Sequence, residues 1–169
     1  MPRSLGNLCN SREIELSSNN WTSQEISEIL ESLLGCVSNG LETLYVENAQ
    51  LFGHLGDELG QFKNLVELSF HNNLISGPIP MSIGNLSSLR LLRLSDNQFK
   101  GTLPQHFGQL SKLEKLYIES NMLEGVVSEV HFFNLTRLSR IFAFGNQLTL
   151  EVSHDWIPPF QLEMLNLRS

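Results

Sequence analysis

The stretch Leu65-Val66-Glu67-Leu68-Ser69-Phe70-His71-Asn72-Asn73-Leu74-Ile75-Ser76-Gly77-Pro78-Ile79-Pro80 decides the fold, because its pattern returns along the chain. The recurring positions are Leu65, Leu68, Phe70, Asn73, Ile75, Gly77 and Ile79-Pro80, with Ile83-Gly84 and Leu86 after them. The next stretch repeats them as Leu89, Leu92, Leu94, Asn97, Phe99, Gly101, Leu103-Pro104, Phe107-Gly108 and Leu110. A third carries Leu113, Leu116, Ile118, Asn121, Leu123, Gly125 and Val127, with Ser128 where the proline stood. Blocks open at Leu41, Leu65, Leu89, Leu113, Leu138 and Leu162, at spacings of 24, 24, 24, 25 and 24 residues. A fixed period of this length marks a stacked array, in which each unit buries its apolar face only against its neighbours.

Each recurring position has a physical task. The x-Leu-x-Leu-x segment alternates with period two, so its leucines point inward and the residues between them face solvent. Successive segments then stack into a parallel sheet. The asparagine that follows (Asn19, Asn73, Asn97, Asn121, Asn146) turns the chain out of the strand, and its amide can satisfy backbone groups at the bend. The glycine permits a tight turn and the proline ends the extended piece after it. These are leucine-rich repeats. The expected fold is an α/β repeat solenoid, a right-handed superhelix. Its parallel β-sheet lies on the concave face, with short helical, 3₁₀ and extended segments on the convex side. It forms one domain over residues 1–169: an irregular first repeat at 11–40, full repeats at 41–64, 65–88, 89–112, 113–137 and 138–161, and a partial repeat at 162–169. Departures fall at Ala49 (the turn asparagine), Gly56 and Ser128 (the proline) and Leu150 (the glycine).

The ends are less regular. Ser11 stands where a leucine belongs, and 30 residues separate it from Leu41. Within that excess, Thr22-Ser23-Gln24-Glu25 opens a run in which Ile26, Ile29, Leu30, Leu33 and Leu34 recur at helical spacing, predicting a short convex-side helix. Neither terminus carries a recognisable polar or disulfide-closed cap, so the chain reads as an excerpt of a longer array. Cys9 and Cys36 are too few and too isolated for a zinc site or a disulfide framework; they either pair with each other or stay as free thiols.

Composition narrows function. Of 169 residues 31 are leucine, and 11 Lys+Arg against 18 Asp+Glu leave a net charge of -7, which gives no electrostatic footprint for nucleic acid. Apolar runs are too short to span a bilayer. Met1-Pro2-Arg3 is followed by polar residues and no apolar core of a signal peptide, so the expectation is a chain without a leader or membrane span of its own. His54, His71, His106, His131 and His154 occupy different repeat positions and do not converge on a metal. Phosphate-cradling glycine loops, nucleophile elbows and kinase signatures are missing, and Glu13 and Glu15, two apart on one strand face, read as solvated surface. No enzyme activity and no cofactor are expected.

The Leu-x-Gly-x-Ile-Pro segment resembles the plant-specific class of leucine-rich repeat, and essentially the whole chain resembles part of a plant cell-surface leucine-rich-repeat receptor ectodomain. Leu5-Gly6-Asn7-Leu8-Cys9-Asn10 with Ser17-Ser18-Asn19-Asn20 resembles a repeat junction common in plant receptor-like proteins. His154-Asp155-Trp156-Ile157-Pro158-Pro159-Phe160-Gln161-Leu162 resembles a segment frequent in receptor-like proteins of the fungal-xylanase-receptor type. Receptor-like kinases share the ectodomain pattern, so the presence of a kinase stays open. The resemblance implies a parent at the outer face of the plasma membrane, in defence or developmental signalling, that binds a peptide or protein ligand and a co-receptor.

The repeat itself says where a ligand would meet the chain. One outward column on the concave sheet runs Glu15, Tyr45, Ser69, Arg93, Tyr117, Phe142, Asn166; the next runs Ser17, Glu47, His71, Ser95, Glu119, Phe144, Arg168. Tyrosine and arginine are enriched at binding hot spots, and outward aromatics on a strand cost solubility without a partner. The candidate ligand-contact residues are therefore Tyr45, Glu47, His71, Arg93, Tyr117, Glu119, Phe142 and Phe144; the alternative is aromatic cross-strand packing with no partner. Acceptor triplets for N-glycosylation begin at Asn20, Asn85 and Asn134, the last two just before a repeat boundary on the convex side. Two other functions compete. One is a secreted inhibitor docking on a cell-wall-degrading enzyme; the other is a truncated receptor product with no independent role.

Overall fold

A computed structural model of the chain describes residues 3–167. In chain order it contains β1 (Glu13–Glu15), α1 (Ile26–Leu33), β2 (Thr43–Tyr45), β3 (Glu67–Ser69), β4 (Ser76–Gly77), β5 (Leu91–Arg93), β6 (Gln98–Gly101), β7 (Lys115–Tyr117), β8 (Met122–Val127), β9 (Arg140–Phe142), β10 (Gln147–Leu150) and β11 (Met164–Asn166). Seven of these strands form one parallel sheet in the order β1-β2-β3-β5-β7-β9-β11. The pairing register aligns Ile14, Leu44, Leu68, Leu92, Leu116, Ile141 and Leu165 in a single inward column. This is a leucine-rich-repeat solenoid with the parallel sheet expected from the repeat.

The extended pieces after the asparagine turn also pair. They make a second parallel sheet of four strands in the order β10-β8-β6-β4, which the repeat pattern did not reveal. Gly77, Gly101 and Gly125 lie in these strands at φ of +80°, +81° and +90°, a region closed to most side chains, and their kinks let the chain leave the concave sheet and line up again alongside it. Leu150, standing where that glycine is expected, instead continues β10 in extended form.

Between the two sheets and the convex turns runs one apolar core, with Leu41, Leu65, Leu89 and Leu113 fully buried. Each such side chain contributes about 1.5–3 kcal/mol through burial. The turn asparagines tie coil to coil. Asn73 Oδ1 accepts the backbone N–H groups of Ala49 and Leu51, both at 3.1 Å, while its amide donates back to the Val46 carbonyl at 2.7 Å. Asn121 and Asn146 repeat the scheme, accepting Phe99 N–H and Leu123 N–H at 3.0 Å. Asn19 is the exception: it is exposed and its amide bonds only to the nearby Leu16 and Ser17 carbonyls. Just before each turn position the backbone is left-handed, at Ser18, Asn72, Asp96, Ser120 and Gly145 ahead of the asparagines and at Asn48 ahead of Ala49.

The predicted convex helix is α1, which buries Ile26, Ile29, Leu30 and Leu33. Its start is not set by a capping box, since Glu25 makes no side-chain cap bond. Instead Ile26 N–H donates to the Phe52 carbonyl of the next coil at 2.9 Å, so tertiary pairing sets the boundary. Cys9 and Cys36 form a disulfide, which decides the pairing that the sequence left open and corrects the expectation of an uncapped N-terminal end. The bond ties the 3₁₀ turn at Arg3–Asn7 to the chain leaving α1, and that turn packs on the helix. The one-residue excess in the repeat at 113–137 also has a place. His131 is buried, takes the Ser128 N–H on Nδ1 at 3.0 Å, and therefore donates from Nε2 to the Leu103 carbonyl at 3.1 Å.

Candidate functional site

Strand pairing brings the middle outward column into contact across the sheet. Ser69 opposes Arg93, Arg93 opposes Tyr117, and Tyr117 opposes Phe142. The Arg93 guanidinium lies 4.9 Å from the Tyr117 ring centre. On the other flank the Tyr117 and Phe142 rings stack at 5.1 Å with 19° between their planes. Because Arg93 and Phe142 come from strands on opposite sides of β7, both faces of Tyr117 are covered. Cation–π contact and stacking each add about 0.5–1.5 kcal/mol here and hold the ring upright. Arg93 reaches on to Glu47 Oε1 at 3.5 Å, and Glu47 also accepts the Ser69 hydroxyl. A continuous ridge, Glu47–Arg93–Tyr117–Phe142, thus stands on the concave face with its side chains preset.

Beside the ridge lies a polar dip. Ser69 and Ser95 are small and almost fully covered by their neighbours. His71 Nδ1 is 3.0 Å from Ser95 Oγ and 3.4 Å from Asp96 Oδ2. Glu119 flanks the same dip. Burial pushes its carboxyl above the usual glutamate range and the Asp96 charge adds to this, while a backbone hydrogen bond, His71 and Arg93 oppose it. Among the described residues Glu119 Oε2 is enclosed without a hydrogen-bond partner. The face therefore offers aromatic edges, one guanidinium and partly desolvated carboxylates, which are groups for recognition.

Of the eight candidates, the structure brings Glu47, Arg93, Tyr117 and Phe142 into one chain of contacts and sets His71 and Glu119 around the adjoining dip. Tyr45 lies apart and donates its hydroxyl to Glu67. Phe144 occupies the next column, half-buried, outside the stack. Arg168 lies outside the described residues. Column reading missed Glu67, Asp96 and Arg140, which belong to flanking columns. Arg140 bonds Glu163 Oε2 at 3.1 and 3.2 Å and also reaches the Tyr117 hydroxyl, and these two bonds raise its pKa in that order. Reading a third column, at Glu67, Leu91, Lys115 and Arg140, would have found it.

A second concavity lies elsewhere. A cavity of about 560 Å³ opens between β10, β11 and the Trp156–Phe160 segment, lined by Leu148, Leu150, Leu162 and Leu165 among others and by no ionisable side chain. Trp156 and Phe160 pack against Phe132, at ring-centre distances of 5.9 and 5.7 Å, and so fix the wall of this cavity. Among the described residues no group of three or more His, Cys, Asp or Glu side chains is placed to hold a metal ion. No helix among them is long and apolar enough to cross a membrane.

Comparison with known proteins agrees with this architecture. The leucine rich repeat family matches residues 92–148 and, in a second match, residues 64–86. The receptor-like protein EIX2 of Solanum lycopersicum is 42% identical over 45 residues, which are 27% of this chain and 4% of that protein. The ectodomain of the Arabidopsis thaliana membrane receptor kinase GASSHO1/SCHENGEN3, solved with CASPARIAN STRIP INTEGRITY FACTOR 2, superposes with a TM-score of 0.82 at 30% identity, over 99% of this chain and 19% of that one. The Arabidopsis receptor kinase HAESA, solved with the peptide hormone IDA and the co-receptor SERK1, gives a TM-score of 0.66 at 26% identity over 88% of this chain and 28% of that one. The chain is thus a leucine-rich-repeat protein. Its repeats are of the plant receptor-ectodomain type, and it spans a small share of the length of these relatives.

Proposed function

We propose that the chain is a ligand-binding segment of a plant cell-surface receptor, taking an extracellular peptide or protein on its concave sheet, with the parent at the plasma membrane in defence or developmental signalling. The observation that carries this reading is the preset ridge Glu47–Arg93–Tyr117–Phe142. A side chain already ordered before binding loses little conformational entropy on contact, which is what a recognition surface needs. The Cys9–Cys36 disulfide supports an oxidising, extracellular setting, since such bonds are rare in the cytosol. The peptide hormone and co-receptor named with the similar receptor HAESA support a peptide as the first candidate ligand and a co-receptor as a second partner. Binding, not catalysis, is the role these groups suit.

The reading is tested by panning a random peptide display library against the folded chain and assaying enriched clones on the Tyr117→Ala, Phe142→Ala double variant. Enriched clones should lose at least tenfold in affinity on the variant. Clones that bind both forms equally, or a library that yields no binder, would contradict the proposal. A second reading, a docking surface for a basic wall-degrading enzyme, draws on the same disulfide, because cysteine-closed ends are what such inhibitors carry, and on the acidic Glu13, Glu15, Glu47 and Glu67 of the sheet. A basic test enzyme inhibited by the chain, with no peptide enriched, would favour it.

A further inference from the structure

We propose that the dip beside the ridge receives a basic side chain of the peptide ligand, lysine or arginine, and that Glu119 selects for it. The inference rests on the ligand-binding reading above and adds the chemistry of the ligand. In the outward column Glu47, His71, Ser95, Glu119, Phe144, the serine is the smallest member and leaves a recess between its neighbours. His71 bounds it on one side and Glu119 on the other, while Arg93 and Asp96 flank it from the same coil as Ser95. Asp96 N–H donates to the Glu119 carbonyl at 3.0 Å, so backbone pairing of adjacent coils sets the two acidic residues side by side. Asp96 keeps 46% of its side chain exposed and His71 keeps 31%, so a ligand can reach the recess from above.

Charge in the recess is left unbalanced. Arg93 is already held by Glu47 at 3.5 Å and by the Tyr117 ring at 4.9 Å. Among the described residues no lysine or arginine forms an ion pair with Asp96 or Glu119. Glu119 Oε2, enclosed there, has no hydrogen-bond partner. Burial first and the Asp96 charge second oppose ionisation of Glu119, a cost that a cation brought by the ligand would offset. Among the described residues no three His, Cys, Asp or Glu side chains are placed to hold a metal ion. An ammonium or guanidinium head, by contrast, reaches separated acceptors through several N–H donors. The aromatic edge sets the rest of the ligand. Phe142 lies two strands along the sheet from the Ser95 coil, roughly 10 Å away, or about three residues of extended peptide. The ligand therefore carries its basic residue about three positions from an apolar one.

The test pans the random peptide library against the full chain and keeps the clones that lose at least tenfold on the Tyr117→Ala, Phe142→Ala variant. These ridge-dependent clones should share a lysine or arginine about three positions from an aromatic or aliphatic residue. Replacing that basic residue by glutamine should weaken binding at least tenfold on the wild-type chain and less than twofold on an Asp96→Asn, Glu119→Gln chain. Asparagine suits the left-handed backbone at Asp96, φ 54°, so this variant keeps the turn. Panning against Glu119→Lys should instead enrich aspartate or glutamate at the same position, a gain that an unfolded variant could not give. Ridge-dependent clones without a basic residue, or an equal loss on both chains, would overturn the inference and leave the ligand-binding reading standing. A library that yields no ridge-dependent clone would remove that reading and this inference with it.

Discussion

The two ends of the array differ in how their repeats are covered. At the inward leucine position, Leu44, Leu68 and Leu92 are 0% exposed, Leu116 and Ile141 are 2% and 4%, and Leu165 is 50%. Helix α1, the 3₁₀ turn before β1 and the Cys9–Cys36 bond enclose one end, and the apolar cavity lies at the other. Identical residue types in identical repeat positions thus contribute differently to stability, because each coil depends on the neighbour that buries it. The ridge sits between these ends, on strands whose inward leucines are covered.

Equivalent substitutions should separate the two ends. Leu92→Ala is expected to cost about 2–5 kcal/mol, and Leu165→Ala less than about 1 kcal/mol, in urea unfolding followed by circular dichroism. Similar costs would break the comparison. Removing the disulfide with Cys9→Ser and Cys36→Ser should cost about 3 kcal/mol, from a loop of 27 residues. Hydrogen exchange should show that loss concentrated in α1, with β9 and β11 little changed. Among the turn asparagines, Asn121→Ala leaves buried backbone groups unpaired and should cost about 2 kcal/mol, whereas Asn19→Ala, exposed and locally bonded, should cost roughly 0.5 kcal/mol.

The smallest expected effect is that of Glu119. Its raised native pKa means the folded chain binds more protons than the unfolded chain between the ordinary glutamate value and the raised one. Stability contributed at this site therefore falls as pH rises through that window. Glu119→Gln should remove that slope and leave the chain no less stable at neutral pH. Urea midpoints measured across acidic to neutral pH in both proteins would check it, and an unchanged slope would contradict it.

Much of this was legible before the structure, for a physical reason. A period near 24 residues sets which side chains share a column, so the strand register and the sequence of ridge residues follow from counting. What counting misses depends on the third dimension. The second sheet needed the positive φ of Gly77, Gly101 and Gly125 to bring the extended pieces alongside one another. The disulfide needed the turn at Arg3–Asn7 to fold back onto α1, and no spacing between Cys9 and Cys36 announces that. Column reading placed Arg93, Tyr117 and Phe142 in a row. It did not show that Tyr117 is enclosed on both faces, nor that Asp96 and Arg140 join from the flanking columns.

The contrast between ridge and cavity supplies the most direct test of the central claim, that recognition occurs on the concave sheet. Carbene footprinting of the chain with and without an enriched library peptide reads side-chain protection at each place. The account predicts protection of Tyr117, Phe142 and Phe144, with Leu150, Trp156 and Leu165 unchanged. Protection of Leu150, Trp156 and Leu165 with the ridge still labelled would contradict it and move the binding site to the apolar cavity.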